Sequence, residues 1–233
     1  MQSLKKEASY ICTVKKESLL EAFVQLGVVM RHFGLSRPWK NFELGITEAE
    51  FDHFNELIGY VKHNNGWFSE DMVRKALFNL GEALTLDDLE SWSKKYAFTD
   101  EPKSVAVIMA GNIPLVGFHD FMCVLLSGNS IIAKMSSDDD KLFPLITDFL
   151  ICFEPKLKGR ISFSDRKLQG FDAVIATGSN SSYLHFEQYF SKYPHVFRKN
   201  RTSVAVLAGT ESDDELKALS KDIFEFYGRG CRS

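Results

Sequence analysis

Four short, nearly uninterrupted apolar runs rich in β-branched residues constrain this chain most: VAVIMAG at 105–111, IIAK at 131–134, AVIATG at 173–178 and VAVLAG at 204–209. A strand with one wet face alternates apolar and polar residues. A run that stays apolar on both sides of the pleat suits a strand covered on both faces, the condition of a parallel sheet. Helical patterns separate the runs. Pro114 stands where a first-turn proline would, Leu115 to Leu126 is apolar on most sides, and Gly128 is placed to end that helix. Asp138, Asp139 and Asp140 precede a second pattern, Leu142 to Phe153, where acids would meet the positive end of the helix dipole. Alternation of strand and helix predicts an α/β fold with a parallel, right-handed βαβ sheet.

The first hundred residues read differently. Leu19, Phe23, Leu26, Met30 and Phe33 recur at helical spacing and Gly34 ends the pattern. Thr47 and Glu50 form a capping box ahead of Phe51, Phe54, Leu57, Ile58 and Val61. Ser69 opens a third helix running toward Gly81, and Thr85 a fourth near Trp92. The division expected is a helical region at 1–100, an α/β domain at 101–209, and at 210–233 the start of a further domain. That last part opens with the capping box Ser212 to Glu215 and a helix ended by Gly228. With 45% hydrophobic and 25% charged residues, disordered and low-complexity classes are excluded. A net charge of −3 argues against nucleic acid or anionic membrane as a partner bound through charge. The longest uncharged run, Ser104 to His119, is interrupted by Gly111, Asn112 and Pro114, so no membrane span is expected. The four cysteines, 12, 123, 152 and 231, show neither metal nor disulfide spacing, and the six histidines show no metal-ligand spacing, which suits a reducing cytoplasm.

In a parallel sheet ligands bind beyond the carboxyl ends of the strands. Gly111 and Asn112, Lys134 to Ser137, and Gly178 and Ser179 stand there, as turn formers or as contacts to a nucleotide. Neither G-x-G-x-x-G nor the P-loop motif occurs. Cys231 lies in a Gly-Arg-Gly-Cys-Arg turn between two arginines, where positive charge favours the nucleophilic thiolate, although many free cysteines are only small buried hydrophobes. Cys12, Cys123 and Cys152 lack that setting. Asn112 could equally cap the helix after Pro114. The basic run from Lys192 to Arg201 reads as a solvated face, with a grip on cofactor phosphates as the lesser reading, and the 20 phenylalanines read chiefly as core.

Taken in order, GNIP at 111–114, AKMSS at 133–137, ATGS at 176–179, SVAVLAG at 203–209 and GRGCR at 228–232 resemble the acyl-CoA reductase family. That family includes the fatty-acid reductase of bacterial bioluminescence and belongs to the aldehyde dehydrogenase superfamily. The resemblance is strongest to the acyl-CoA reductases of Bacteroidetes-type bacteria and extends upstream through NNGWFSEDMVR at 64–74. It implies an aldehyde-dehydrogenase-like fold and reduction of an acyl-CoA or acyl thioester to an aldehyde. Cys231 would carry the acyl group, with the Asn112 amide and the Cys231 backbone N–H as oxyanion donors. Lys134 would bind the adenosine ribose, and Gly178 and Ser179 the pyrophosphate, with Gly111, Ile113, Ser136 and Ser137 completing the cofactor site. Ser137 stands where NAD-preferring relatives carry glutamate, which points to NADPH, with NADH as the alternative. The VAVLAG run lacks the general-base glutamate of hydrolytic relatives, so the acyl-enzyme should persist. The resemblance further implies an acyl-transferring protein partner, a homo-oligomer, and a catalytic domain that continues past Cys231. A nucleotide-binding module without independent catalysis and a reductase of acyl phosphates are the competing readings.

Overall fold

The computed structural model describes residues 14–39 and 45–229. Four helices come first: α1 (Lys16–Gly34), α2 (Glu48–Tyr60), α3 (Glu70–Glu82) and α4 (Leu86–Ser93). Then follow β1 (Ser104–Ile108), α5 (Phe118–Leu126), β2 (Ser130–Lys134), α6 (Leu142–Phe153), β3 (Ile161–Phe163), β4 (Ala173–Thr177), α7 (Asn180–Phe190), β5 (His195–Arg198) and α8 (Asp213–Phe224). All strand pairs are parallel, in the order β3-β2-β1-β4-β5. The expected α/β architecture with a helical first part is therefore present.

The helix starts form as their chemistry dictates. Thr47 accepts from Glu50 N while the Glu50 carboxylate takes the Thr47 N–H, and Ser212 and Glu215 repeat the arrangement at α8. Gly128, at φ +86°, ends α5. Gly34 departs from expectation. It remains within α1, and the residue with positive φ after the helix is Ser36. Its lack of a side chain serves packing, because a Cβ there would lie 2.6 Å from the Phe78 Cβ on α3.

The core runs across residue 100 without a break. Phe33 stacks with Phe149 of α6 at 6.0 Å, and Phe23 meets Phe118 of α5 edge-on at 6.3 Å. Phe23, Phe33, Phe54, Phe68, Phe118, Phe121 and Phe143 are fully buried, so this set of phenylalanines is core.

Three expectations are corrected. The run at 204–209 forms no strand, and Val204 and Val206 are 86% and 90% exposed, because no strand among the described residues pairs with it. Two strands not expected from the sequence, β3 and β5, form the sheet edges, and β5 lies inside the segment read as a basic solvated face. Pro114 does not open α5, which begins at Phe118, because residues 112–117 form turns with Leu115 at φ +58°. Finally, the acids before α6 are not in its first turn. Asp139 is buried and turned to the Leu115 N–H instead.

Candidate functional site

The strand order reverses beside β1, since β2 and β3 lie on one side and β4 and β5 on the other. The crevice beyond the carboxyl ends of β1 and β4 is thus the expected ligand position in such a sheet. Gly111 and Asn112 leave β1 there, Gly178 and Ser179 leave β4, and Lys134 to Ser137 leave the adjacent β2. Gly111 is required by contact: a Cβ on it would lie 2.6 Å from both Cβ and Oγ of Ser136. The loops after β1 and β2 therefore pack backbone against side chain.

The Asn112 side chain does not cap α5. Its Nδ2 donates to the Arg229 carbonyl at 2.6 Å, across 117 positions of sequence. Arg229 lies two residues before Cys231, which is itself outside the described residues. An asparagine Nδ2 carries two N–H bonds, and the second has no partner among the described residues. Ile113 is buried with Ala76 of α3 and Phe226.

The segment at 225–229 is docked on the first hundred residues. Lys75 pairs with Glu225, Ser69 Oγ and Tyr227 OH lie 3.1 Å apart, and the Arg229 guanidinium sits 4.6 Å over the Trp67 ring. Trp67 also meets Tyr227 at 5.5 Å. These contacts hold three successive left-handed residues, Phe226, Tyr227 and Gly228 at φ 48°, 58° and 67°, of which only glycine adopts that region freely. Trp67, Ser69 and Lys75 were not singled out as site residues by sequence reasoning. The upstream motif at 64–74 was the available signal, and two of the three fall within it. Ser69, expected as a helix cap, makes no cap hydrogen bond; its hydroxyl lies against Tyr227.

On the cofactor side, Lys134 Nζ donates to the Arg166 carbonyl at 2.9 Å. Ser136 Oγ accepts from Asp138 N, and Ser137 is exposed. Ser179 caps α7 by accepting from Ser182 N at 3.1 Å, while Gly178 N bonds to the Arg198 carbonyl of β5. Of these residues Lys134 lines a cavity of about 1000 Å³, with apolar walls from Ile108, Leu168 and Phe186 and from the second half of α7. Among the described residues that line it, the lysines are Lys134, Lys167 and Lys192, and none is acidic.

Two buried groups lie under the same loops. Asp139 Oδ2 accepts the Leu115 N–H at 2.7 Å, and Oδ1 is buried without a hydrogen-bond partner among the described residues. Burial raises its carboxyl to about 7, opposed by the Leu115 N–H and reinforced by Asp140. Thr177 Oγ1, at the end of β4, is likewise buried without a partner among the described residues. Among the described residues, no group of three or more His, Cys, Asp or Glu could hold a metal ion, and no helix is long and apolar enough to cross a membrane.

A sequence model of the acyl-CoA reductase (LuxC) family matches residues 47–233. No curated protein sequence matches the chain. Among solved structures, a Burkholderia cenocepacia protein assigned as an aldehyde dehydrogenase superposes with a TM-score of 0.60 at 14% identity, over 93% of this chain and 50% of that one. Aldehyde dehydrogenase 21 of Physcomitrella patens, solved with its product succinate, gives 0.58 at 13% identity over the same shares, 93% and 50%. The fold is that of aldehyde dehydrogenases, and the chain spans about half the length of these relatives.

Proposed function

The chain belongs to the LuxC acyl-CoA reductase family, and on that premise we propose that it reduces an acyl-CoA or acyl thioester to an aldehyde through a thioester on Cys231. The observation that carries this reading is the hydrogen bond from Asn112 to Arg229, which brings the carboxamide of the GNIP loop beside the segment leading to Cys231.

The Cys231 sulfur attacks the thioester carbonyl, and negative charge develops on its oxygen. The free N–H of Asn112 and the Cys231 backbone N–H would meet that charge, as prearranged donors do in acyl transfer. Collapse expels the CoA sulfur and leaves an acyl-enzyme. The VAVLAG segment contributes no acid, and the following Glu211 is held on the Ala208 and Gly209 N–H groups, so no carboxylate there activates water. Hydrolysis is then slow relative to reduction.

The cavity beside Lys134 fits a dinucleotide. Its apolar walls suit an adenine ring and its lysines suit phosphate. Lys134, Ser136, Ser137, Gly178 and Ser179 would hold it, and a nicotinamide cofactor bound there supplies hydride. The absence of acid among the described lining residues, with Ser137 in place of glutamate, favours NADPH over NADH. Partners on this reading are the acyl thioester, an acyl-transferring protein and, in a longer protein, further copies of the chain.

Mass spectrometry after incubation with acyl-CoA tests the reading. A hydroxylamine-labile acyl group on the Cys231 peptide, and NADPH consumption that needs both acyl-CoA and Cys231, are expected. An unacylated Cys231 peptide overturns the assignment. The exposed VAVLAG run favours a second reading, a nucleotide-binding module; NADPH binding without turnover would select it. Acyl phosphate replacing acyl-CoA as the better donor would select the acyl-phosphate reductase.

A further inference from the structure

A second thiol occupies a reactive setting outside that site, on α5. His119 and Cys123 lie one helical turn apart, and the two ring nitrogens stand 3.6 and 3.8 Å from the sulfur. His119 Nδ1 is also 3.9 Å from Asp120 Oδ1, and the buried Asp120 carboxylate is ion-paired with Arg198 of β5. The thiol therefore faces an imidazole, the pairing of a nucleophile with a proton carrier, while the Asp120 carboxylate beside the same Nδ1 and paired with Arg198 adds negative charge next to the ring. The Asp120 carboxylate, and after it Cys123, raise the His119 imidazole to about 10 against the opposing effect of burial.

The cluster opens onto a groove of about 460 Å³. Cys123, His119 and Arg198 line it together with Trp92, Tyr96 and Leu126, and Trp92 meets the His119 ring edge-on at 6.5 Å. Such a groove suits an electrophile joined to a hydrocarbon tail. Cys152 offers the contrast within the same chain. It is exposed, and partial burial followed by Glu50 and Asp148 raises its thiol above the usual value, which disfavours the nucleophilic form.

We propose that Cys123 is a second acyl-accepting thiol, which takes the acyl group of a thioester whose apolar chain lies along Trp92, Tyr96 and Leu126, with His119 as its proton carrier. This rests on the reading that acyl thioesters are the substrates. The Cys123 sulfur bonds to the thioester carbonyl carbon, and the bond from that carbon to the CoA sulfur breaks. The proton shared by Cys123 and His119 leaves on the CoA sulfur. Acyl-CoA and the Cys123 thiol give acyl-Cys123 and free CoA, with nothing oxidised or reduced.

The test is site-resolved mass spectrometry with tetradecanoyl-CoA on the full chain and on Cys231→Ala. In both, the peptide containing Cys123 should carry a hydroxylamine-labile acyl group at least tenfold above the Cys152 peptide. Cys123→Ser removes that label. His119→Gln, at an exposed position, slows it at least tenfold while circular dichroism and acylation of Cys231 stay unchanged. Acyl on Cys231 with Cys123 labelled no more than Cys152 overturns this proposal and leaves the proposed function standing. Acyl on neither cysteine overturns both. Labelling of Cys123 at the parent rate in His119→Gln overturns the role of the dyad.

Discussion

The Asp139 carboxylate accepts the Leu115 N–H at 2.7 Å and so braces the turn that carries Asn112. Leu115 sits at φ +58°, a conformation that costs a branched residue free energy and needs such a partner. The brace is itself a buried acid, and its titration should be visible in stability.

Folding raises the Asp139 pKa from 3.8 to about 7, so the folded chain holds this proton more tightly than the unfolded one. The stability due to that proton is complete below pH 3.8 and is lost as pH rises through about 7. The difference corresponds to about 4 kcal/mol as an upper bound. Urea unfolding of Asp139→Asn against the parent at pH 4.5 and pH 8 should show the variant gaining relative stability with pH. A difference independent of pH would refute this.

Gly34→Ala should destabilise the chain by about 1–3 kcal/mol, the usual range for forcing a methyl into a packed contact. The new Cβ would lie 2.6 Å from the Phe78 Cβ and 2.7 Å from its backbone N, so α1 and α3 must separate. Thermal or urea unfolding measures it, and an unchanged midpoint would mean the helices part without strain.

Trp67→Ala removes both the ring beneath Arg229 and the ring against Tyr227. An exposed cation–π contact contributes about 0.5–1 kcal/mol. Amide exchange at Arg229, whose N–H bonds to the Phe226 carbonyl, should quicken by roughly twofold to fivefold, the factor that this free energy represents. Core amides in β1 should keep their protection.

Ser137→Glu restores the carboxylate that the cofactor reading finds missing. NADPH affinity should fall at least tenfold with NADH affinity changed little, and Lys134→Ala should weaken NADPH by about tenfold as well. Fluorescence titration of each nucleotide reads both, and an equal loss for the two cofactors would remove the 2′-phosphate from the argument.

The parts of this fold legible in sequence are those set by local chemistry or by two-sided burial. The capping boxes at Thr47 and Ser212 formed because each satisfies its own N–H groups. β1, β2 and β4 were visible because they occupy the three central positions and stay apolar on both faces. β3 and β5 lie at the sheet edges, where Ser162, Phe163, His195 and Val196 are exposed, so no continuous apolar run marks them. The VAVLAG run looked like a strand from composition, but a strand also needs a partner, which composition does not show. For the candidate site, the placement of Asn112 after β1 and of Lys134 at the end of β2 was readable from the apolar runs. The braces Asp139, Trp67 and Lys75 were not, because their roles depend on partners 24 to 162 residues away. Cys123 and His119 stood four residues apart throughout, a spacing that places two side chains on one helix face.

The bare VAVLAG stretch has a practical consequence. Val204, Val206 and Leu207 present an uncharged, apolar surface that joins no sheet among the described residues, and such segments template strand addition between molecules. Solutions of this chain should therefore precipitate with rising concentration and bind hydrophobic dyes. A gatekeeper charge, Val206→Lys, should extend the range of concentration over which the other measurements can be made.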